Sequence, residues 1–290
     1  MYQKFLITTF FSFLALLQTQ AALANSAEKE HSMLLGNATI TTLNDVTGEG
    51  KTDILIGATS HDLTTYLPTE NYTSVINAFL VQSNGKNILI DTGLGKKLIT
   101  NLNAININAQ DIDIILITHM HADHIGGLLN DNGQATFPHS DIYIASKEHA
   151  FWQSEETAQQ AQTVLNVYKD KIHLFEPSTL NDPANEIVSG ITAIAAYGHT
   201  PGHTAFLLTS EGSRLLFWGD ITHVTPIQFP KPEITVIYDN DPIEAVATRQ
   251  AILNFVVEQN IPIAGAHVIN ISRVKTDATN PNVYFLEDLN

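Results

Sequence analysis

Cysteine is absent from all 290 residues. That absence removes disulfides, thiolate metal ligands and cysteine nucleophiles. Stability must come from core packing, with bound metal as a second source, and any metal ligand must be His, Asp or Glu. Positive charge is scarce as well: 14 Lys and Arg face 30 Asp and Glu, a formal net charge of −16. Such a surface repels phosphate backbones, which excludes nucleic acid and anionic membrane as expected partners. No Pro/Gly/Ser linker and no low-complexity segment follows residue 24.

One apolar run, Phe5 to Leu17, falls short of the ~20 residues that span a bilayer. With Lys4 before it and the small-x-small triplet Ala22-Leu23-Ala24 after it, the run reads as the core of a secretory signal peptide over residues 1–24. The expectation is a periplasmic or secreted protein, free of membrane once the signal is cleaved. No cysteine follows the run to carry a lipid. The mature chain, residues 25–290, keeps 13 of the 14 bases and all 30 acids, a net charge of −17. At 44% hydrophobic and 15% charged it can build one sizeable core, and it is expected to be a single domain.

Strand and helix patterns alternate along it. Ala38 to Leu43, Ser74 to Val81 and Asn87 to Ile90 read as strands, the last two joined by the turn Ser83-Asn84-Gly85-Lys86. Lys96 to Ile107 is helix-compatible, and Ile112 to Ile117 is a buried type of strand. The same order then returns: strand Asp141 to Ala145, helix Glu148 to Lys169, strand Ile191 to Ala196, and a hairpin of Thr204 to Thr209 with Arg214 to Trp218. Asp241 and Pro242 open a helix that runs to about Gln259, and Pro262 to Ala266 is a last strand. This pattern predicts one α/β domain with sheets inside and helices outside.

Against this background Thr118-His119-Met120-His121-Ala122-Asp123-His124-Ile125-Gly126-Gly127 stands out. Three imidazoles and a carboxylate within six positions are ligands for zinc and its neighbours, and four so close together can serve two ions. On a helix His119 and His121 would lie about 200° apart. A loop leaving the strand Ile112 to Ile117 lets them converge. Three later candidates each follow a strand: His199 in Gly198-His199-Thr200-Pro201-Gly202-His203, Asp220 in Trp218-Gly219-Asp220, and His267 in Gly265-Ala266-His267. Strand ends on one sheet edge bring such residues together. His31, His61, His139, His149 and His173 lack this context and read as surface or loop residues.

From the Asp91-Thr92-Gly93 turn to His267, this set in this order resembles the metallo-β-lactamase superfamily. The resemblance implies a four-layer αββα sandwich. It assigns His119, His121 and His199 to a first metal site, Asp123, His124 and His267 to a second, and Asp220 to a bridge between them. It places His203 behind the ligands and gives Asp91 the role of orienting one of them. The implied cofactor is a pair of divalent ions, zinc first, with iron, manganese or cobalt as alternatives. Their bridging hydroxide attacks a carbonyl or phosphoryl centre, and Asp123 holds it and passes on a proton.

Within the superfamily, similarity is closest to the branch holding methyl parathion hydrolase and quorum-quenching lactonases, through Phe151-Trp152, Ile227-Gln228-Phe229, Asp239-Asn240-Asp241 and Ala247-Thr248-Arg249. β-Lactam cleavage is disfavoured, because one β-lactamase subclass has Cys where Asp220 stands and another lacks the bridging aspartate. That branch implies pocket-lining roles for Trp152 and Tyr238. It also sets His223 over the metals, where the lactonases have tyrosine; a histidine there can donate to a lactone carbonyl or relay a proton. The expected substrate is a small neutral lactone or ester, with phosphotriester cleavage as a side activity and a homodimer as the assembly allowed for. The rival readings are an organophosphate hydrolase, a metallo-β-lactamase, an iron protein on the same scaffold, and a periplasmic zinc binder without catalysis.

Overall fold

A computed structural model describes residues 32–69, 71–155, 158–184 and 186–289. The expected signal segment, residues 1–24, lies outside the described residues, as does His31.

Two seven-stranded sheets carry the fold. The first uses β1 (Ser32–Leu35), β2 (Ala38–Glu49), β4 (Thr73–Ser83), β5 (Lys86–Ile90), β6 (Ile114–Leu116), β7 (Asp141–Ala145) and β8 (Ile172–Phe175), in that order; β3 (Leu55–Ile56) stands apart. The second comprises β9 (Glu186–Val188), β10 (Ile191–Ala195), β11 (Thr204–Ser210), β12 (Ser213–Phe217), β14 (Pro262–Ala264), β15 (Ser272–Thr276) and β16 (Tyr284–Asp288), with β14 inserted parallel beside β12. A two-stranded ribbon pairs β3 with β13 (Thr235–Val236). The helices are α1 (Ser60–Tyr66), α2 (Leu98–Ala104), α3 (Ala122–Ile125), α4 (Ser146–Ser154), α5 (Gln159–Val167), α6 (Thr225–Gln228) and α7 (Pro242–Glu258).

Alternation along the central strands explains the layering, because successive side chains of a strand face opposite ways. Phe79 and Val81 of β4, Ile88 and Ile90 of β5, Phe206 and Leu208 of β11, and Leu215 and Phe217 of β12 meet in one cluster between the sheets. Their neighbours face outward. Leu80, Leu89 and Ile142 pack on Leu98, Leu102, Val164 and Leu165 of the helices on one side. Leu207, Leu216 and Ile263 pack on Ile252, Leu253 and Val256 of α7 on the other. Each fully buried side chain of this kind contributes about 1.5–3 kcal/mol. Strands apolar on both faces require both faces to be covered, and the result is helix, sheet, sheet, helix, as expected.

Several expected boundaries move. The stretch from Glu148 to Lys169 is two helices, α4 and α5, because Glu155 leaves the helical region at ψ 99°. The Glu155 carbonyl accepts the Ala158 N–H at 3.1 Å and the Gln162 side-chain amide at 2.7 Å. The helix expected over Lys96 to Ile107 shortens to α2, closed by Asn106 in the left-handed region at φ 60°. Strand β2 runs past Leu43 to Glu49 through a bulge between Asn44 and Val46. Asp45 in that bulge accepts the backbone N–H groups of Lys97 and Leu98, at the start of α2.

Strands β6, β10, β12 and β14 all end at one rim of the sandwich. Two hydrogen bonds tie the sheets together there: Thr204 N–H to the Thr118 carbonyl at 2.9 Å, and Asn77 N–H to the Ala266 carbonyl at 2.9 Å.

Candidate metal centre

The loop after β6 carries His119 and Met120, and His121 forms the N-cap of the one-turn helix α3 (φ −64°, ψ 157°). His119 Nε2 lies 3.0 Å from His121 Nδ1, which lies 3.0 Å from His199 Nε2. Asp220 Oδ2 completes this group, 3.6 Å from His119 Nε2 and 3.3 Å from His199 Nε2. A second group shares Asp220: its Oδ1 lies 3.1 Å from His124 Nε2 and its Oδ2 3.2 Å from His267 Nε2. Asp123 Oδ2 joins at 3.7 Å from His124 Nε2 and 3.4 Å from His267 Nε2. Within each group of four the donor atoms fall within 4.8 Å of one another, close enough that each could hold a metal ion. All seven residues expected as ligands converge here.

The donor set fits a cation. Four rings turn Nδ1 outward to a partner: His119 to Thr118 Oγ1 at 3.1 Å, His124 to Asp91 at 2.8 Å, His199 to Asp239 at 2.9 Å and His267 to the Val75 carbonyl at 2.9 Å. An Nδ1–H donated outward leaves the Nε2 lone pair facing inward, the arrangement of a metal-ligating histidine. His121 alone presents Nδ1 to the cluster. His124 Nε2 and Asp220 Oδ1 are buried and make no hydrogen bond. Burial and the neighbouring rings hold His119 well below its ordinary pKa and His121 at about 3, so both rings are neutral donors. Burial also opposes charge on His267 and His124, but Asp220 and Asp123 outweigh it, lifting His267 to about 9 and His124 well above its ordinary value. The second group therefore draws positive charge.

Behind the ligands stand buried polar side chains. Asp91 adopts a left-handed backbone (φ 57°) and accepts from Thr118 N–H, Thr118 Oγ1–H and His124 Nδ1–H at 2.7–2.8 Å, which places it behind a histidine of the second group. His203 is fully buried and no member of either group; its Nδ1–H donates to the Ala196 carbonyl at 2.9 Å and its Nε2 accepts Asp220 N–H at 3.0 Å. Burial keeps it neutral, near pKa 3. Gly219 has to be glycine: it sits at φ 57°, and a Cβ there would fall 2.5 Å from His203 Nε2.

Three residues of this layer were absent from the expected site. Asp239 orients His199 and is faced by Arg249 Nη2 at 3.6 Å. Arg249 itself is 1% exposed, and its guanidinium also donates to the carbonyls of Ile221, Pro232 and Ile234 at 2.7–2.9 Å. Glu148, fully buried, accepts four donors around the first group.

On the open side, the Trp152 ring meets the His121 ring edge-on at 5.4 Å, with its indole N–H donated to Glu148. Tyr238 is 48% exposed, 6.1 Å from His223 ring to ring. His223 stacks on His267 at 4.7 Å, and its Nε2 lies 3.1 Å from Asp220 Oδ2. Gln228 Oε1 fixes the loop by accepting His223 N–H and Val224 N–H. Burial holds the His223 ring at about 4, hence neutral, and its Nδ1 has no partner. His61, His139 and His173 are exposed and His149 half-buried, all outside the two groups.

Residues 72–257 match the family model of the metallo-beta-lactamase superfamily. The chain belongs to that superfamily. Among curated relatives it is 31% identical over 140 residues to the uncharacterized protein YobT of Bacillus subtilis, covering 48% of this chain and 59% of YobT. It is 38% identical over 104 residues to the exodeoxyribonuclease WalJ of Streptococcus pneumoniae, covering 34% of each. The chain thus spans about three fifths and one third of the lengths of these relatives. Among solved structures, hydrolase AbOPH of the beta-lactamase superfamily superposes with a TM-score of 0.80 at 25% identity, covering 90% of this chain and 97% of AbOPH. AidC, a dizinc quorum-quenching lactonase in complex with its product, superposes with a TM-score of 0.78 at 24% identity, covering 89% and 97%. The latter likeness speaks to the fold alone.

Proposed function

We propose that this superfamily hydrolase holds two divalent cations, zinc first, and opens small uncharged lactones or esters. The observation that carries the reading is the sharing of Asp220 by two four-residue groups of donor atoms. His119, His121 and His199 would hold the first cation and Asp123, His124 and His267 the second, with Asp220 shared by both groups. Bound there, the pair supplies Lewis acidity and lowers the pKa of water toward neutrality. The chain's own groups do the rest. Asp123, the most exposed of the carboxylates in the cluster with its side chain 26% open, takes up a proton and returns it to the leaving alkoxide. His223 is neutral, with its hydrogen on Nε2 facing Asp220; once Asp220 Oδ2 was committed to the cations, that N–H would be left for a carbonyl oxygen brought over the cluster. Trp152 spends its only polar atom on Glu148 and so gives that side of the pocket an apolar wall.

An uncharged substrate follows from the polar inventory. Arg249 is buried and bonded behind Asp239, and Lys147 lies over the Tyr197 ring at 4.1 Å. Neither cation offers itself to a substrate carboxylate. A phosphotriester, equally uncharged, is a secondary substrate. Lactonases of this fold, AidC among them, bind an acyl homoserine product, which accords with the reading. We place the mature protein in the periplasm or medium, after removal of residues 1–24.

The test is metal analysis alongside rates on an aliphatic lactone, dihydrocoumarin, paraoxon and a β-lactam. Two cations per chain and lactone turnover above paraoxon are expected. Phosphotriester turnover far above both lactones reverses the ranking, and a wild-type chain that binds no divalent cation defeats the reading.

A further inference from the structure

We propose that Glu148 is the positioning residue of the first cation group, one buried carboxylate that fixes both loops carrying its histidines. This rests on the proposed function only in that the group holds a cation. Glu148 Oε1 accepts Met120 N–H at 2.9 Å, between His119 and His121, and Trp152 Nε1–H at 2.5 Å, from the ring lying on His121. Its Oε2 accepts Thr200 Oγ1–H at 2.7 Å, next to His199, and Gly202 N–H at 3.0 Å. Every histidine of the first group is therefore within one residue, or one ring contact, of a group bonded to this carboxylate. None of the second group is.

The side chain does more than fill space. It is fully buried, and among the described residues no Lys or Arg pairs with it. Removing a carboxylate from water costs several kcal/mol unless its oxygens are satisfied. Burial raises the Glu148 pKa, and the four donors, two on each oxygen, oppose that by satisfying the ionised form, whose charge would favour a cation beside it. The second glycine of the Gly198 to His203 loop is explained by the same contact. A Cβ at Gly202 would lie 2.2 Å from Glu148 N, so only glycine lets this loop come close enough for its N–H to reach Oε2. The division of labour is clean: Asp91 orients His124 of the second group, Asp239 aims His199, and Glu148 joins the two loops of the first.

The full-length protein is titrated with zinc against a competing chelator, and the wild type is expected to show two binding events. His121→Ala identifies the event that belongs to the first group. In Glu148→Gln that same event weakens by about 10- to 100-fold, while the other is unchanged. Glu148→Asp, which keeps the charge, recovers part of the loss. The two tryptophans give two indole N–H resonances, and Glu148→Gln shifts only the one from Trp152. Should Glu148→Gln fail to fold, Thr200→Val removes a single donor and weakens the same event to a smaller degree. Two unchanged affinities in Glu148→Gln, or equal loss from both groups, overturn the proposal while leaving the proposed function standing. A wild type without zinc binding overturns that function first.

Discussion

His203 Nε2 accepts the backbone N–H of Asp220 at 3.0 Å, while its Nδ1–H is donated to the Ala196 carbonyl. The ring is thus held in one tautomer and one orientation, with Gly219 pressed against it. A histidine that lies among seven candidate ligands turns its nitrogens away from the two donor groups and toward the strand that delivers the shared carboxylate.

Replacing that ring has a defined cost. His203→Leu leaves Asp220 N–H and the Ala196 carbonyl buried without partners, about 1–3 kcal/mol for each orphaned group. Urea denaturation of the metal-free variant is expected to show the lower midpoint, with the slope unchanged. Wild-type stability in His203→Leu would show that relaxation or water replaces both bonds.

Asp239 and Arg249 are coupled. Asp239→Ala frees His199 to rotate, at about 10- to 100-fold in metal affinity. It also strands the buried guanidinium, at about 3–5 kcal/mol. Adding Arg249→Met is expected to recover part of the stability and none of the metal affinity. Recovery of both would mean that His199 needs no orienting partner. Thermal unfolding and zinc titration of the three variants read the two effects apart.

His223→Phe tests the donor over the cluster. It keeps the ring stacked on His267 but removes the N–H. Lactone turnover is expected to fall by about 10²-fold with both cations retained. Unchanged turnover at full metal content would assign the residue to packing alone.

Chelation reports on folding. Each filled site adds about 2.7 kcal/mol when free metal is a hundred times its dissociation constant. With no disulfide to hold the chain, a chelator is expected to lower the melting temperature, and added zinc to restore it. Melting indifferent to metal would deny the cluster a structural share.

The candidate ligands were legible in the sequence because four lie within six positions and the rest each follow an apolar strand. Asp91 and His203 were legible through the motifs that contain them. Glu148 and Asp239 were not: each works on partners tens of residues away, and locally Glu148 looks like any acid at a helix start. Buried carboxylates show themselves through tertiary contacts, which no local pattern encodes. The strands at one end of the second sheet were missed for a related reason. Ser272–Thr276 reads Ser-Arg-Val-Lys-Thr, polar enough for a loop, and becomes strand β15 because β14 and β16 flank it. The split between α4 and α5 was hidden by helix-compatible residues on both sides of Glu155.

His119, His121, Asp123 and His124 precede residue 176, and His199, Asp220 and His267 follow it, so each group of four takes two members from either half of the chain. Neither half owns a complete site. Two fragments cut between β8 and β9 would each carry only half of either group, and reassociation would be needed to complete both. Metal occupancy, on the proposed function, would be a logical conjunction of the two sheets, a signal that both have folded and met in register.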